Sequence, residues 1–423
     1  MKFPGMCIAA HYNETATRHR ESILKSRWDD VAAQSCPSAL ALRAYTSRLI
    51  GSDPTLVLYG GGNTSLKVDN TLYVKGTGSN LAEVREEHFT ALDLDALRTL
   101  LHDPTLPDAA LMRRIDGCKR EPAAPKPSIE TLLHAALPYA FVEHAHADAV
   151  LAVANVANCE AACASAFGDR APVVPYRHSG AALARACKAV FERDASARTI
   201  GLILACHGVV AFGHTARASH DHLLRLVGLA EDYLERHGAP RPVATTETAV
   251  PADPAVTAGL CAAVSAAAGF PLAMKVVTTP TTLAYAQRSD LAEISQQGPP
   301  TPQHAIYTKR VPLIDDDVAA YARRYRDYLA RTLGHAADGR IDAAPRIAVS
   351  PAFGLCAFGV NDHYAAVAAE IYLHDIDIMT RASAHGTYRS AAEQHIARAE
   401  LEYGGFEQRV RAGIASPPAT APY

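Results

Sequence analysis

The sequence predicts an α/β protein built from two units, and three observations carry that expectation. Its 423 residues exceed the usual span of one domain. Short apolar, strand-like runs alternate with longer stretches of helical periodicity over residues 25–238. The pattern then stops in residues 239–254, a linker with four prolines and three threonines, and restarts over 255–415 as a smaller α/β unit. Residues 1–24 read as a polar N-terminal extension. The Pro- and Ala-rich residues 416–423 read as a disordered tail.

The elements follow in order. Residues 25–51 look helical, with Gly51 as a C-cap. A short strand is expected over 55–59, followed by Gly60-Gly61-Gly62-Asn63. Strands over 64–68 and 71–74 flank Asp69-Asn70, a hairpin turn signal. Two helical stretches are expected through 83–118, and Ser128 then opens a helix. Residues 141–146 are strand-like, 148–167 helical, 170–176 extended and 180–193 helical. An apolar strand over 199–206 ends at His207-Gly208, and 209–212 returns from it. Residues 215–237 carry Leu223, Val227, Ala230 and Leu234 at helical spacing. Beyond the linker, helices are expected over 255–268, 281–297, 315–333 and 361–383, with strands over 274–278, 305–308 and 346–350. Gly354 and Gly359 suggest no role.

Composition excludes several classes. Net charge is −3 with 20% charged residues, so no basic surface points to nucleic acid. No apolar run approaches the roughly 20 residues of a membrane helix. The first 20 residues lack a signal-peptide core. Nine cysteines, an odd number without framework spacing, read as reduced thiols in a cytoplasmic protein. Cys159 and Cys163 read as small buried hydrophobes.

The candidate chemistry lies in two segments. His144 and His146 are two apart, which in a strand puts both imidazoles on one face. His207 ends another apolar run. Three imidazoles with an open fourth position suit a catalytic zinc; manganese, cobalt or iron also fit. Either motif alone reads more often as structural or surface than as a ligand; together they gain weight because each ends an apolar strand. Glu130 and His134 lie one turn apart on the expected helix, either as a surface pair or with Glu130 as a proton-transfer group beside the metal. Asp148 is either a helix cap or a partner for an imidazole N–H. Asn63, Thr64, Lys75, Thr77, Gly78 and Ser79 form two glycine-rich loops around one hairpin, and Ser128 starts a helix. Such loops are either ordinary turns or nests of N–H groups for an anion.

The motifs GGGNTS, KGTGS, PSIETLLH, VEHAHAD and ACHGVVAFG resemble the class II aldolase/adducin family of zinc-dependent aldolases. In order and spacing they are most similar to the aldolase part of bifunctional rhamnulose-1-phosphate aldolase/alcohol dehydrogenases. Residues 301–309 and 345–354 resemble that branch's connecting region, so the likeness covers roughly 25–410. It implies an α/β/α layered first domain around a largely antiparallel sheet, and a homotetramer. It assigns His144, His146 and His207 to the metal, Glu130 to acid/base work, and Asn63, Thr77, Gly78 and Ser128 to phosphate. Ile129 stands where shorter aldolases have a second serine. The resemblance leaves the group that protonates the aldehyde oxygen unplaced. No strand followed by GxxxGxG and then YxxxK is present, so an aldolase form without the dehydrogenase domain is expected.

The implied reaction is cleavage of a ketose 1-phosphate, rhamnulose 1-phosphate or a similar deoxyketose phosphate, into dihydroxyacetone phosphate and a small aldehyde such as lactaldehyde. Three alternatives stand beside it. One is a sugar-phosphate 4-epimerase or 3-oxo-acid-phosphate decarboxylase of the same superfamily. Another is a Schiff-base aldolase using Lys75. The last is a non-enzymatic, adducin-like binding module.

Overall fold

The computed structural model describes residues 26–103, 108–240, 253–404 and 406–413. The expected extension 1–24, the tail 416–423 and most of the linker 239–254 lie outside the described residues. The first unit begins with α1 (Asp30–Gln34) and α2 (Ala39–Gly51), where one helix was expected. Pro37 removes a backbone donor there, and Ser38 caps the second helix by accepting from the Ala41 N–H. The expected strand 55–59 is a turn. The N–H groups of Leu56 and Val57 fold back onto the Asp53 carbonyl, and Tyr59 has a positive φ of 51°.

The hairpin of β1 (Asn63–Val68) and β2 (Thr71–Lys75) turns at Asp69-Asn70, with Asp69 in the left-handed region at φ 49°. β3 (Phe89–Asp93) pairs with β2 inside a stretch expected to be helical. Next come α3 (Leu94–Leu101), α4 (Asp108–Asp116), α5 (Thr131–Ala136) and β4 (Phe141–Ala145). The Ala-rich stretch forms α6 (Asp148–Ala154) and α7 (Cys159–Phe167). They part at Asn155, whose amide donates to the Pro300 carbonyl at 2.6 Å. β5 (Val173–Val174), α8 (Ala181–Asp194), β6 (Gly201–Leu204), β7 (Gly208–Gly213) and α9 (Ala216–Arg236) complete the unit.

These seven strands form one sheet in the order β3-β2-β1-β4-β7-β6-β5, antiparallel except for β5 beside β6. Alternation sorts the side chains between two apolar layers. Val142, Leu202, Val210 and Phe212 join α3, α5 and α8 on one face. Ala145, Ile203, Val209 and Ala211 join α6, α7 and α9 on the other. The result is helices on both faces of a mainly antiparallel sheet.

The second unit runs through α10 (Pro254–Ala268), β8 (Ala273–Val277), α11 (Pro280–Ala286), α12 (Leu291–Ser295), α13 (Ala305–Thr308), α14 (Val318–Leu333), β9 (Ile347–Ser350), β10 (Gly354–Gly359), α15 (Asp362–Ser383), α16 (Glu393–Tyr403) and α17 (Phe406–Arg411). Its antiparallel sheet has the order β8-β10-β9. Two expectations fail here: the single helix expected over 281–297 is two, α11 and α12, and the strand expected over 305–308 is absent. Residues 305–308 are a turn of helix, closed by N–H bonds from Tyr307 and Thr308 to the His304 carbonyl. Gly354–Gly359, given no role from sequence, is the central strand. The apolar layer under α6 continues without a break into Ile371, Ile376 and Met379 of α15, so the two units share a core.

Among the described residues no helix is long and apolar enough to cross a membrane. The described cysteines are all free thiols. Cys163 is buried and Cys159 half-buried, with 3.9 Å between their sulfurs.

Arg43 of α2 and Glu143 of β4 form a fully buried ion pair at 2.8 Å, and Ser219 of α9 donates to the same carboxylate at 3.0 Å. Removing one partner strands a buried charge. Arg43→Ala is expected to cost about 3–5 kcal/mol in denaturant unfolding. The Arg43→Met/Glu143→Leu double variant, which removes both charges, should recover most of that loss.

Candidate metal centre

β4 lies between β1 and β7, so its residues are fixed by two ladders. Asn63 pairs with His144 on one side and Val210 pairs with it on the other. His144 and Val142 share the face covered by α5 and α8. His146 follows just past the strand end. His207 stands in the turn between β6 and β7, after Cys206, whose φ is 52°. Gly208 lets that turn close on β4. Its φ is 150°, and a Cβ there would lie 2.3 Å from the Ala145 carbonyl oxygen. Gly62 does the same from the other side, where a Cβ would lie 2.7 Å from the His144 carbonyl oxygen.

The structure brings the three expected imidazoles together. One nitrogen from each of His144, His146 and His207 lies within 4.8 Å of the others, and all three residues are buried. His144 donates its Nδ1–H to the Val209 carbonyl at 3.0 Å, which leaves a lone pair on Nε2. That Nε2 is 3.1 Å from Nε2 of His146. Two nitrogens on a tetrahedral zinc would stand about 3.3 Å apart at ordinary bond lengths. Burial pushes the His144 imidazole down to about 4, against the pull of Glu130. Burial likewise holds His146 well below its usual value. Lone pairs that converge on one point fit a divalent cation.

Glu130 faces the same point. Its Oε1 is 3.2 Å from His207 Nε2, and its Oε2 is 3.4 Å from His144 Nε2. It is the cap residue before α5 rather than a residue within the helix, so the expected one-turn pairing with His134 does not apply. Asn63 Nδ2 donates to Oε2 at 2.7 Å, and the Ser179 hydroxyl donates to Oε1 at 3.1 Å. Burial acts to raise this carboxyl, but the adjoining His144 and His207 rings and the Asn63 amide outweigh it and hold the group well below the usual carboxylate range. His134 is fully buried behind Asn63. Its Nε2 meets Asn63 Oδ1 at 2.5 Å and its Nδ1 meets the Ser65 hydroxyl at 2.8 Å. That relay fixes which end of the Asn63 amide faces Glu130. Asp148 is not the cap of α6, which is Ala147, but it does partner an imidazole N–H, that of His374 rather than of the three clustered histidines. It opens α6 and accepts from His374 Nδ1 of α15 at 2.6 Å.

A cavity of about 190 Å³ opens beside this cluster. Of the expected loop residues, Asn63, Lys75, Thr77 and Ser128 line it, with Glu130 and His146. Ser128 Oγ accepts from the Glu130 N–H at 3.2 Å and from Asn63 Nδ2 at 3.3 Å. Lys75 is 3% exposed, and its Nζ has no hydrogen-bond partner among the described residues. Burial pushes its ammonium down to about 8, with Glu130 opposing. Three expected residues lie elsewhere. Thr64 alternates to the other face of β1, where its hydroxyl shares a 2.8 Å hydrogen bond with Ser47 of α2. Gly78 and Ser79 fall outside the lining, and the Ser79 hydroxyl donates to the Gly76 carbonyl at 3.0 Å. Sequence reasoning missed Lys126, Ser179 and Gln303, which also line the cavity. None lies in a periodic pattern; Ser179 carried only the faint signal of preceding the Gly180 cap of α8.

Residues 41–234 match the model of the class II aldolase and adducin N-terminal domain, and residues 251–409 match that of the aldolase class II second domain. The chain belongs to the class II aldolase/adducin family. Within that family it is similar to the Bacillus subtilis (strain 168) protein described as "Uncharacterized oxidoreductase YuxG", at 28% identity over 415 residues. The match covers 88% of this chain and 58% of that protein, so the chain spans little more than half of that relative's length. Among solved structures it is similar to the N-terminal class II aldolase domain of a conserved Thermoplasma acidophilum protein. Identity is 34%, with 50% of this chain and 99% of that one covered, at a TM-score of 0.46. It is also similar to L-fuculose-1-phosphate aldolase from Thermus thermophilus, at 16% identity, 46% and 95% coverage and a TM-score of 0.32.

His207→Ala removes one of three converging donors and should lower metal affinity steeply while leaving the sheet intact. Metal content after dialysis against a weak chelator should fall from near one divalent ion per chain to a small fraction of that. Retention of a full equivalent would remove His207 from the centre.

Proposed function

We propose that this chain is a metal-dependent aldolase that cleaves a ketose 1-phosphate, rhamnulose 1-phosphate or a similar deoxyketose phosphate, to dihydroxyacetone phosphate and a small aldehyde such as lactaldehyde. The observation that carries the reading is the cavity itself. It is lined by a buried carboxylate, by His146 of the three converging imidazoles and by a buried ammonium without a hydrogen-bond partner among the described residues, and the other two imidazoles lie against that carboxylate. The likeness of the motifs to rhamnulose-1-phosphate aldolases supports the substrate class. We take zinc as the resident ion, held by His144, His146 and His207. We take residues 25–238 as the catalytic domain, 255–415 as the second domain, and a cytoplasmic homotetramer as the working form.

A bound divalent ion would supply Lewis acidity at the carbonyl oxygen of the substrate. The remaining work belongs to side chains of this chain. Lys75, with Asn63, Thr77 and Ser128, holds the phosphate, and that fixes the reacting carbons against Glu130. Gly78 and Ser79 shape the turn after β2, and Thr64 anchors β1 to α2, without reaching the cavity. Glu130, held ionised, takes a proton from the carbon beside the carbonyl in the condensation direction and returns it in cleavage. Asn63, locked by His134, keeps the Glu130 carboxylate turned toward that carbon.

The decisive experiment is release of dihydroxyacetone phosphate from a panel of ketose 1-phosphates by metal-loaded protein, with and without EDTA. EDTA-sensitive release is expected. Activity that survives EDTA and is trapped by borohydride would instead assign a Schiff base to Lys75. No release from any substrate despite bound metal would favour epimerase or decarboxylase chemistry. Glu130→Gln should keep the metal and lose on the order of 10²–10⁴ in kcat. Unchanged turnover in that variant would remove Glu130 from the mechanism.

A further inference from the structure

The second unit reaches into the metal centre through the segment Gly298–His304. This segment is braced on three sides. Asn155 donates to the Pro300 carbonyl at 2.6 Å, and Tyr388 donates to the Gly298 carbonyl at 2.8 Å. His304 Nδ1 meets Asp375 of α15 at 2.6 Å. Between these braces Gln303 projects into the cavity, and its Nε2 stands 3.2 Å from His207 Nε2. The buried Thr301 hydroxyl donates to Gln303 Oε1. The amide is therefore aimed: its oxygen accepts from Thr301, and its nitrogen faces His207.

The position of Gln303 along the cavity follows from Glu130. Ser128 and Asn63 are bonded to one another and lead to Oε2 of that carboxylate. His207, the neighbour of Gln303, meets Oε1. Ser128 thus connects to one oxygen of Glu130 through Asn63, and Gln303 to the other through His207. If the Ser128 side takes the phosphate, the Gln303 side faces the carbons farther along the sugar. With His207 Nε2 engaged by a cation, its lone pair no longer accepts from the amide. That N–H is then released toward the cavity, where a substrate oxygen can accept it.

We propose that Gln303 is the substrate-binding residue of the aldehyde half. Its amide donates to the oxygen on the carbon that becomes the aldehyde carbonyl, and the second unit thereby completes the site within one chain. This inference rests on the aldolase reading. It assigns Gln303 a role in binding and orienting that oxygen, with no proton transferred by the amide. Thr301 is a positioning residue that acts through Gln303.

The test separates the two halves of the reaction on metal-loaded, full-length protein. One assay follows cleavage of the best ketose 1-phosphate. The other follows exchange of the carbon-bound proton of dihydroxyacetone phosphate with D2O, which needs the phosphate grip and Glu130 but no aldehyde. Gln303→Ala is expected to lower the ratio of cleavage to exchange on the order of tenfold or more, the scale of one lost hydrogen bond to a developing charge. Thr301→Val, close in shape and lacking the hydroxyl, should lower the ratio in the same direction by less. Equal loss of both activities would make Gln303 a structural or metal-site residue and overturn the proposal. So would an unchanged ratio. If the unaltered protein, loaded with metal, neither cleaves nor exchanges, the aldolase reading itself fails and takes this inference with it.

Discussion

The structure depends on the placement of β4 between β1 and β7. Each ladder fixes register, and a slip of one residue would turn every side chain to the opposite face. In the register observed, Asn63 stands beside His144, and the β6–β7 turn brings His207 to the end of the strand. Glu143, one residue from His144, points the other way and is held by Arg43 and Ser219. One strand therefore serves two polar systems that do not touch. On one face an ion pair locks α2 and α9 to the sheet. On the other, imidazoles gather under α5. The locked face is what makes the second face precise in position, because β4 cannot twist to relieve crowding among its histidines.

That crowding has an electrostatic consequence. A buried polar group without a partner costs on the order of 1–3 kcal/mol. Here His144 and His146 bring nitrogens to 3.1 Å, Glu130 lies against them, and burial disfavours charging the rings. A proton can serve only one nitrogen at a time, whereas a divalent cation satisfies all three and the carboxylate together. Lys75 poses the complementary problem. Its ammonium is buried at the cavity wall with only the charge of Glu130 to oppose desolvation. A dianionic group in the cavity would answer it, and the glycine-rich turn before β1 leaves backbone room for one. The two demands, a cation at one end and an anion at the other, are the ones that the proposed sugar-phosphate substrate would meet.

Some of this was legible in the sequence. His144 and His146 could be placed on one face because a strand has a period of two. His207 could be placed near a strand end because a long apolar run stops there. The same rule, applied strictly, would have removed Thr64, since Asn63 and Ser65 share the face that Thr64 leaves. Other features were hidden by competing signals. Phe89–Asp93 is short and flanked by helical composition, and only its pairing with β2 makes it a strand. Residues 55–59 are a short apolar run like a strand yet bury Leu56 and Val57 through a turn, in which their N–H groups bond back to the Asp53 carbonyl. Residues 305–308 are too short for periodicity to decide. Glu130 was found by motif, but its position as a cap, with Asn63 and Ser179 on its two oxygens, depends on contacts 67 and 49 residues away in the chain.

The second unit was legible as a unit but not as part of the site. Its composition suggested a separate α/β body behind a linker, and separate bodies usually meet through modest, polar interfaces. The packing here is of another kind. α15 continues the apolar layer of α6, and Asp148, at the start of α6, is tied to His374. Asp148 lies two residues after His146, so the helix that follows the metal strand is held from the second unit. The Gly298–His304 segment is held by Asn155, where α6 ends. The same short helix is thus fixed at its start by α15 and at its end by the segment that carries Gln303. A shift of the second unit would move α6, His146 and Gln303 together. The linker joins two bodies in sequence, but the chemistry sits where they are no longer separable.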